Sequence, residues 1–584
     1  MSDSTAAASL GPGLVRGRAR EWLTRLRPRH ALFLLCLVVV AYIVVGPLFF
    51  LTVGSFSTDL GSGGLGQLTL DNYVRAYSDG RVVSLLMNSL LFSGGSALVA
   101  LVVGTGLAWI TERTDTPLRS LFLSMSLIPL IMPGVLFAIG WILLIGPRAG
   151  ILSTWFRDLT GLSFPLNVFS LPGMIVVAGL HWAPLAYLIM SGALRSQDPS
   201  LEEAALMSGA GRFTAARRIV MPLTTPALMS LILLLVVRGL ETFEVPGLIG
   251  LPAGIEVFSS RIYLAVSSLP SDFGLGGAYA ISLLVITAIG VGLYSRLTRE
   301  TSKYATISGK GYRPSVIRLG RWRYLTTAIL VLYFGCVVVL PALAIVWNSF
   351  LPFTQVPSWH SLSTLNLDNY RSALGLDQIR RAVVNSVLLS VGSASVVVIF
   401  GSVVSWLVVR SGIRGRGVLD QLAATALVFP GVVVGVALIW VYLTIPVPIY
   451  GTIWILFVAY LTRYMPYGIR FAMSSQVQVR AELEEAALMS GASAATTFRR
   501  VVLPLMFPAL AAAWVYVVVV SMSEFSSVVF LWSPGSEVLS VVLFDFWVNG
   551  ESGPAYALGS MLVLALTVLT AVYQRVSRST GIKI

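Results

Sequence analysis

Residues 201–210 read LEEAALMSGA, and residues 483–492 read LEEAALMSGA again. The offset of 282 residues continues beyond the identical stretch, since the pair Arg217–Arg218 aligns with the pair Arg499–Arg500. Apolar composition alone does not produce this repeat, because the stretch carries adjacent acids and several small residues. Self-similarity at a long fixed period indicates two copies of one structural unit.

The composition is that of a membrane protein. The chain has 584 residues, of which 56% are hydrophobic and 11% are charged, whereas soluble domains carry about 25% charged residues. The formal net charge of +14 lies in short segments between apolar runs, which is typical of cytoplasmic loops rather than of a nucleic-acid surface. We therefore predict contact with the lipid bilayer and no nucleic-acid partner.

Apolar windows of ~20 residues predict twelve membrane-spanning helices, six in each half of the chain. In the first half they cover 31–53, 82–110, 121–145, 171–194, 226–249 and 276–297. In the second half they cover 325–350, 382–409, 418–444, 452–474, 508–531 and 555–576. An even number of spans per repeat gives both repeats the same orientation. The predicted fold is an all-α membrane protein built from two parallel six-helix repeats.

The predicted boundaries follow from these spans and from the basic segments around them. A basic tail (1–30) precedes the first repeat unit (31–300), and a basic linker (301–324) joins it to the second unit (325–576). The chain then ends in residues 577–584. Within the two units the repeated stretch lies in the loops 195–222 and 475–504.

Basic residues fall in alternate connections between the predicted spans, including the segments 195–218, 296–323 and 463–500. Short basic loops face the cytoplasm, so we expect both termini and both copies of the repeated stretch on that side. The opposite connections are richer in acids, and we expect Glu537 and Asp545 to lie in a wet outer loop.

Other short landmarks recur at an offset of 297 residues. The sequence LDNY at 70–73 returns at 367–370, and Pro133–Gly134 returns as Pro430–Gly431. Because 297 and 282 differ by fifteen residues, the first half carries extra length between the two sets of landmarks. We expect this extra length in the outer loop 146–170.

Each repeated loop is predicted to be a helix, a glycine turn and a second helix. Asp198 is placed to cap the first helix, Pro199 to start it, and Ser200 and Glu203 to form a capping box. Gly209 is placed to end it, because glycine adopts the left-handed conformation that terminates helices. A second short helix is expected at 214–219.

The pattern E-A-A, three residues, G-A and a proline thirteen residues after the glycine resembles the EAA loop of ABC importer permeases. In that family the loop docks on the ATP-hydrolysing subunit, and its movement opens the membrane path to one side or the other. The resemblance implies this coupling role for Glu202, Glu203, Ala204, Ala205, Gly209, Ala210 and Pro222 in the first loop, and for Glu484, Glu485, Ala486, Ala487, Gly491, Ala492, Phe498 and Pro504 in the second. An ordinary amphipathic connector does not explain two identical copies.

One position departs from the family pattern. The family has an aromatic residue seven positions after the glycine, where the second loop has Phe498 and the first has Ala216. The first loop carries Phe213 one turn earlier. Whether both loops hold their ATPase subunits equally is left open by this difference.

Four ionisable residues follow the loops inside predicted spans, where charges are costly and usually functional. They are Arg238, Glu241, Glu244 and Glu524. The spacing of three predicts that the first three share one helical face. They could line a path for a cationic or chelated substrate, or Arg238 and Glu241 could form a pair that only holds spans together.

Several sites are missing from the sequence. No G-x-x-x-x-G-K-[ST] phosphate loop occurs, and His30, His181 and His360 show no metal-ligand spacing. Cys36 and Cys336 lie in apolar segments, where packing is the expected role. We expect a transport subunit with no catalytic residues, metal site or cofactor of its own, served by two copies of an ABC ATPase and by a separate periplasmic or extracellular solute-binding protein.

The resemblance covers nearly the whole chain and is to type I ABC importer permeases with two units fused in one polypeptide. Fusion at this length, with these landmarks, resembles the ferric-iron permeases, so iron is the expected substrate and the bacterial cytoplasmic membrane the expected location. Thiamine, polyamines and phosphonates remain alternatives. An ion-coupled secondary transporter is more remote because it leaves the doubled loop unexplained, and no catalytic cluster supports a membrane enzyme.

Overall fold

The structure is a computed structural model, and it is built from helices. It describes residues 28–58, 66–78, 80–117, 119, 122, 129, 132–164, 167–301, 316–425 and 429–579. Within those residues the only β-type pairings are two isolated bridges, Ser57 with Leu68 and Thr114 with Ile317. The predicted all-α class is therefore confirmed. Residues 1–27 of the predicted basic tail, residues 302–315 of the predicted linker and the last five residues lie outside the described residues.

The helices form two compact units. One consists of the described residues of Met1–Gly46, Ser395–Leu427 and Met465–Trp514, and the other of the described residues of Pro47–Ala394, Val428–Tyr464 and Val515–Ile584. The first coupling loop lies in the larger unit, and the second lies in the smaller one. The division follows packing and not the sequence repeat, so the predicted unit boundaries stay predictions.

Eight helical stretches among the described residues are long and apolar enough to cross a membrane. Each of them overlaps a span predicted from the sequence, which makes the chain a multi-pass membrane protein. They are Arg29–Ser55, Arg81–Arg113, Leu171–Arg195, Phe213–Glu241, Phe273–Leu293, Trp322–Ser349, Asp377–Arg410 and Ala494–Met522.

The four remaining predicted spans correspond to helices that are shorter or more polar. The predicted spans 121–145 and 418–444 contain the helices Gly134–Ile145 and Gly431–Thr444. Both of these helices begin directly after a proline, and residues 121, 123–128, 130–131 and 426–428 of the two predicted spans lie outside the described residues. The helix Ile453–Gln478 has the predicted length but carries two arginines, and the helix Ser552–Ser579 is apolar over Ser552–Ala565.

One feature of the first repeat was not predicted. The helix Met221–Glu241 ends before the predicted span does, and the chain continues as two short helical pieces, Pro246–Ala253 and Phe258–Ser267. These pieces are bent by 84° relative to each other, and Gly254 between them has a φ of +69°. This left-handed residue ends the first piece, since glycine adopts that conformation without steric cost.

Further short helices connect the spans. They are Asp71–Ser78, Ile151–Thr160, Pro199–Met207, Arg212–Ala215, Trp359–Ser363, Asp368–Gly375, Arg416–Thr425, Ala481–Met489, Ala494–Thr497 and Leu539–Val548. The helix Ile151–Thr160 occupies the expected extra length of the loop 146–170, whereas the equivalent segment after Thr444 forms only turns. The expected place of the insertion is therefore confirmed.

The recurring asparagine of the LDNY landmark has the same role in both repeats. Asn72 Nδ2 donates to the backbone carbonyls of Ser55 and Ser57, at 3.1 and 2.8 Å. Asn369 makes the equivalent pair of hydrogen bonds at 3.1 and 2.7 Å. Both asparagines thereby satisfy carbonyls that the preceding helix leaves without an internal partner at its end.

Two other expectations can be compared with the structure. Glu537 was expected in a wet outer loop, and this is wrong, because it is 3% exposed and accepts hydrogen bonds from Arg381. Cys36 is buried and Cys336 is half-buried, and neither forms a disulfide, which agrees with a packing role.

Candidate functional site

The first coupling helix, Pro199–Met207, has a defined beginning and end. The Ser200 N–H donates to Asp198 Oδ1 at 2.9 Å, and Pro199 occupies the first turn. Gly209 follows the helix with a φ of +85°. The cap and the glycine turn are confirmed. The predicted capping box is wrong, because the helix begins at Pro199 and Glu203 therefore lies beyond the capping position.

The second coupling helix, Ala481–Met489, ends in the same way, with Gly491 at a φ of +84°. A separate second helix was expected after each glycine, and the structure corrects this expectation. In the first loop, Arg212–Ala215 passes through one wide helical turn, Ala216–Val220, directly into Met221–Glu241. The second loop repeats this arrangement. Each repeated loop is therefore joined to its membrane span by one continuous helix.

The two adjacent glutamates of the first coupling helix point in different directions. Glu202 is 6% exposed, and its Oε2 accepts from Arg113 Nη1 at 2.9 Å. Arg113 is the last residue of the span Arg81–Arg113 and is itself buried. Glu203, one position on, is exposed. Glu202 therefore joins the helix Pro199–Met207 to the span Arg81–Arg113 by an ion pair, and Glu203 lies on the exposed surface of the loop.

The second coupling helix repeats this division. Glu484 Oε1 accepts from Arg410 Nε at 2.9 Å, and Arg410 ends the span Asp377–Arg410. Glu485 is exposed. Arg113 and Arg410 are equivalent at the offset of 297 residues. Both loops are therefore supported by an ion pair between an arginine at a helix end and the first glutamate of the motif, which we call the strut.

The first strut has additional contacts. Arg113 Nη2 also donates to Gln197 Oε1, and Gln197 Nε2 donates to the carbonyl of Val220 at 3.1 Å. A second ion pair lies alongside, in which Arg195 contacts Glu112 at 2.7 Å. In the second repeat the positions of Glu112 and Arg195 are occupied by valines.

Both coupling helices expose the same apolar residues just before the glycine turn. Met207 is 90% exposed and Met489 is 89% exposed. Leu206 and Leu488 beside them are 36% and 49% exposed. Exposed apolar side chains grouped in this way mark a surface that contacts a partner, and methionine adapts readily to the shape of the opposing groove.

The remaining residues of the predicted coupling set lie on the same exposed loops. Ala204 and Ala486 are exposed, as are the two turn glycines and the prolines that begin the following helices. The half-buried members are Ala205, Ala210, Ala487, Ala492 and Phe498. The small side chains leave the backbone of each coupling helix open to close approach.

The aromatic residues of the two loops, Phe213 and Phe498, differ in what their side chains contact. Phe498 packs on the ring of Trp406, with the centroids 5.7 Å apart. Phe213 is 79% exposed. The position equivalent to Phe498 is Ala216, so Trp109, the equivalent of Trp406, lacks this ring neighbour. The second loop therefore uses its aromatic residue for internal packing, and the first presents its aromatic residue outward.

Of the membrane charges, Arg238 and Glu241 form an ion pair at 3.2 Å. The prediction that Glu244 shares their helical face is wrong, because the helix Met221–Glu241 ends before it. Glu244 accepts instead from the Thr242 hydroxyl and from the Phe243 N–H, at 2.5 and 3.0 Å. Glu241 is thus the last residue of the helix, and Glu244 lies in the segment that follows the helix.

Arg463, which was not predicted as a site residue from the sequence, completes this cluster. Arg463 Nη2 lies 2.9 Å from Glu241 Oε2, and its Nε lies 3.8 Å from Glu524 Oε2. Arg463 Nη1 also donates to the carbonyl of Phe429 at 2.8 Å. A signal was available, because Arg463 is a charge inside the predicted span 452–474, and such residues are rare unless functional.

Glu524 accepts three hydrogen bonds. The Tyr464 hydroxyl donates to its Oε2 at 2.6 Å. Its Oε1 accepts from the N–H and hydroxyl of Ser527 at 3.1 and 2.8 Å. Glu524 is 8% exposed, and these three donors satisfy its buried carboxylate.

The recurring Pro-Gly landmarks lie against the same cluster. A Cβ at Gly134 would lie 3.1 Å from Glu244 Cγ, and a Cβ at Gly431 would lie 3.0 Å from Ser526 Cβ and 3.5 Å from Arg463 Cζ. The absence of a side chain at both glycines permits this close approach. The landmarks therefore adjoin the membrane charges in both repeats.

Comparison with known proteins is consistent with this architecture. The family described as the binding-protein-dependent transport system inner membrane component matches residues 82–303 and 397–581, once in each half. The ferric transport system permease protein FbpB of Actinobacillus pleuropneumoniae is 27% identical over 527 residues, covering 88% of this chain and 74% of that protein. A putative ferric transport system permease protein, FbpB 1 of Haemophilus influenzae, is 27% identical over 472 residues, covering 80% and 73%.

Relatives with a single unit also match. The spermidine/putrescine transport system permease protein PotB of Haemophilus influenzae is 24% identical over 269 residues, covering 45% of this chain and 90% of that protein. The two family matches together cover more than half of the chain. The chain therefore belongs to the family of binding-protein-dependent transport system inner membrane components.

Proposed function

We propose that this chain is the transmembrane permease subunit of an ATP-driven importer, with two permease units fused in one polypeptide. A binding protein outside the membrane delivers the solute, and two copies of an ABC ATPase subunit bind the cytoplasmic face. ATP is bound by those subunits. In this proposal both termini and both coupling loops face the cytoplasm of a bacterial cell.

The observation that carries the proposal is the doubled coupling loop. Each copy presents the same exposed leucine and methionine, and each is fastened by a buried glutamate to the end of a span. Because the two loops present similar surfaces, each can bind one copy of the same ATPase subunit, as equivalent surfaces do in symmetric assemblies. Because each loop continues directly into a membrane helix, force applied to it reaches the span.

The proposed cargo is ferric iron. Relatives named as ferric transport permeases match across most of this chain, and the polyamine permease matches less than half of it. The fused length thus favours iron over polyamines.

We propose further that the path runs past Arg238, Glu241, Glu244 and Glu524. All four lie at or just beyond the ends of the two helices that continue from the coupling loops. Ionisable groups at membrane depth usually face a pathway. Arg238 pairs with Glu241 on the same helix, and Arg463 links that acid to Glu524 of the second repeat.

The direct test is uptake into proteoliposomes that contain this chain and its ATPase subunit, with binding protein and labelled ferric iron outside. Iron accumulation that requires ATP inside the vesicles is expected. The double variant Gly209→Asp, Gly491→Asp should insert normally and lose uptake, because both turns need a left-handed residue. Gly375→Asp is the matched control, since that glycine is exposed with open space around it. Full uptake by the double variant would overturn the proposal.

The polyamine relatives supply a second candidate cargo. Labelled spermidine is tested in the same vesicles with its own binding protein. Uptake of spermidine without uptake of iron would keep the importer and replace the cargo. Uptake driven by an ion gradient in vesicles without ATP would instead indicate a secondary transporter.

A further inference from the structure

Residues at equivalent positions of the two repeats touch each other beyond the ends of the coupling-loop helices. Phe243 and Phe525 are related by the 282-residue offset, and their rings stack with centroids 5.8 Å apart and planes 11° apart. Glu244 and Ser526 are related in the same way, and the serine hydroxyl donates to the carboxylate at 3.3 Å. Equivalent residues of two related units meet only near the axis that relates them. The two repeats therefore face each other here, within the larger compact unit.

Arg463 connects the acids of the two repeats at this point. Its guanidinium lies 2.9 Å from Glu241 of the first repeat and 3.8 Å from Glu524 of the second. The side chains of these three residues are 15%, 5% and 8% exposed, respectively. Ion pairs become stronger as water is excluded. Separation of the repeats here would remove the link between Arg463 and Glu241, which would then keep Arg238 as its ion-pair partner.

The link is made from one side only. The position equivalent to Arg463 is His181, whose Nδ1 has no hydrogen-bond partner among the described residues and whose ring packs on Phe137 at 4.9 Å. The position equivalent to Glu241 is Ser523. The first repeat thus has no arginine that could form the reciprocal pair, and Arg463 serves both repeats.

We propose that Arg463 is a positioning residue that holds the translocation path closed by joining Glu241 of the first repeat to Glu524 of the second. The path opens when movement of the coupling loops, driven by the ATPase subunits, pulls these groups apart. This inference rests on the proposed importer function. It adds that the resting closed state is stabilised by an ion-pair latch, which the binding protein and ATP must together overcome.

The test uses the complex of this chain with its ATPase subunit in lipid nanodiscs. ATP hydrolysis is measured with and without binding protein loaded with ferric iron, and iron uptake per ATP is measured in proteoliposomes. In Arg463→Gln the closed state loses its latch, so hydrolysis without binding protein is expected to rise about tenfold, because a population shift follows the lost differential stabilisation. Iron transported per ATP is expected to fall.

Glu241→Gln removes the same link from the other side and is expected to show the same rise. Arg463→Lys keeps a positive charge between Glu241 and Glu524 and should hold unstimulated hydrolysis closer to the wild-type rate than Arg463→Gln does. Arg470→Gln is the matched control, because Arg470 is on the same helix and pairs with Asp420 at 3.2 Å but is 42% exposed. Its unstimulated rate should remain that of the wild type.

The outcomes separate the two proposals. If the wild-type complex shows no hydrolysis stimulated by the loaded binding protein, the importer function fails. If the wild type is stimulated but neither Arg463→Gln nor Glu241→Gln raises unstimulated hydrolysis, the latch is overturned. A rise in Arg463→Lys as large as that in Arg463→Gln also overturns it, since a loss of packing and not of charge would produce that result.

Discussion

The two coupling loops share ten identical residues, yet the protein supports them differently. The first strut is sealed, with Arg113 and Glu202 at 3% and 8% side-chain exposure, and Gln197 adds a second acceptor. In the second, Arg410 is 23% exposed and donates its other bond to the backbone carbonyl of Val479. The second loop compensates with the ring contact between Phe498 and Trp406.

This comparison shows which part of the loop is shared and which is not. The surface offered to a partner is nearly the same in both copies, as the exposures of Met207 and Met489 show. The contacts that join each loop to the membrane spans differ. They are mainly ion pairs in the first loop, and in the second they include the ring contact between Phe498 and Trp406. The same exposed surface can thus be held in place by two different sets of internal contacts, without a change in the ten-residue motif.

The largest expected effect comes from removing the arginine of each strut. Arg113→Met leaves Glu202 buried without its cation, so the free energy of unfolding should fall by about 3–5 kcal/mol. Arg410→Met should cost clearly less, because Arg410 is 23% exposed and its pair with Glu484 is less completely removed from water than the first pair. Thermal unfolding of the detergent-purified variants measures both, with the exposed Arg217→Met as control. Equal losses would contradict the difference in support.

A smaller effect is expected from the two phenylalanines. Phe498→Ala should lower the free energy of unfolding by about 2 kcal/mol, since a partly buried ring loses part of the usual core contribution. Phe213→Ala should leave unfolding within about 0.5 kcal/mol, because the side chain is 79% exposed. It should instead weaken binding of the ATPase subunit. Thermal unfolding and a pull-down with the ATPase distinguish these outcomes, and a stability loss in Phe213→Ala would break the assignment.

The turn glycines are expected to behave alike. Gly209 and Gly491 have φ angles of +85° and +84°, and a Cβ at either would meet nothing within 4 Å. Substitution by alanine should therefore cost about 1 kcal/mol at each, from backbone strain alone. Unfolding midpoints of Gly209→Ala and Gly491→Ala should agree. A marked difference would show that the turns are not equivalent.

The smallest effect on stability is expected at the outward glutamates. Glu203→Gln and Glu485→Gln should change the free energy of unfolding by less than about 0.5 kcal/mol, since both side chains are exposed. Glu202→Gln, one position away, should be much more damaging because it removes the charge that Arg113 requires. Similar stability for Glu202→Gln and Glu203→Gln would refute the division of roles within the motif.

The sequence predicted the features that depend on local rules. Helix ends at Gly209 and Gly491 and the cap at Asp198 follow from nearby residues, and the structure has them. The extra length before residue 170 follows from the difference between the two repeat offsets, and the structure has it too. The helical class followed from apolar windows. The family resemblance rested on the doubled motif, and the family match in both halves agrees with it.

The features that were missed depend on contacts between distant segments. Glu202 and Glu203 are indistinguishable in sequence, and only Arg113, 89 positions away, decides which one is buried. The importance of Arg463 comes from Glu241, 222 positions away. The break after Glu241 also places Glu244 off the expected helical face. No local spacing rule contains these pairings.

The central claim is that each of the two coupling loops binds one ATPase subunit. The most direct measurement is the native mass of this chain purified with its ATPase subunit. One chain with two ATPase subunits is predicted for the wild type, and a chain without ATPase subunits for the double variant Met207→Glu, Met489→Glu, which charges both exposed apolar contacts. A wild-type chain that carries no ATPase, or a double variant that keeps two, would contradict the claim.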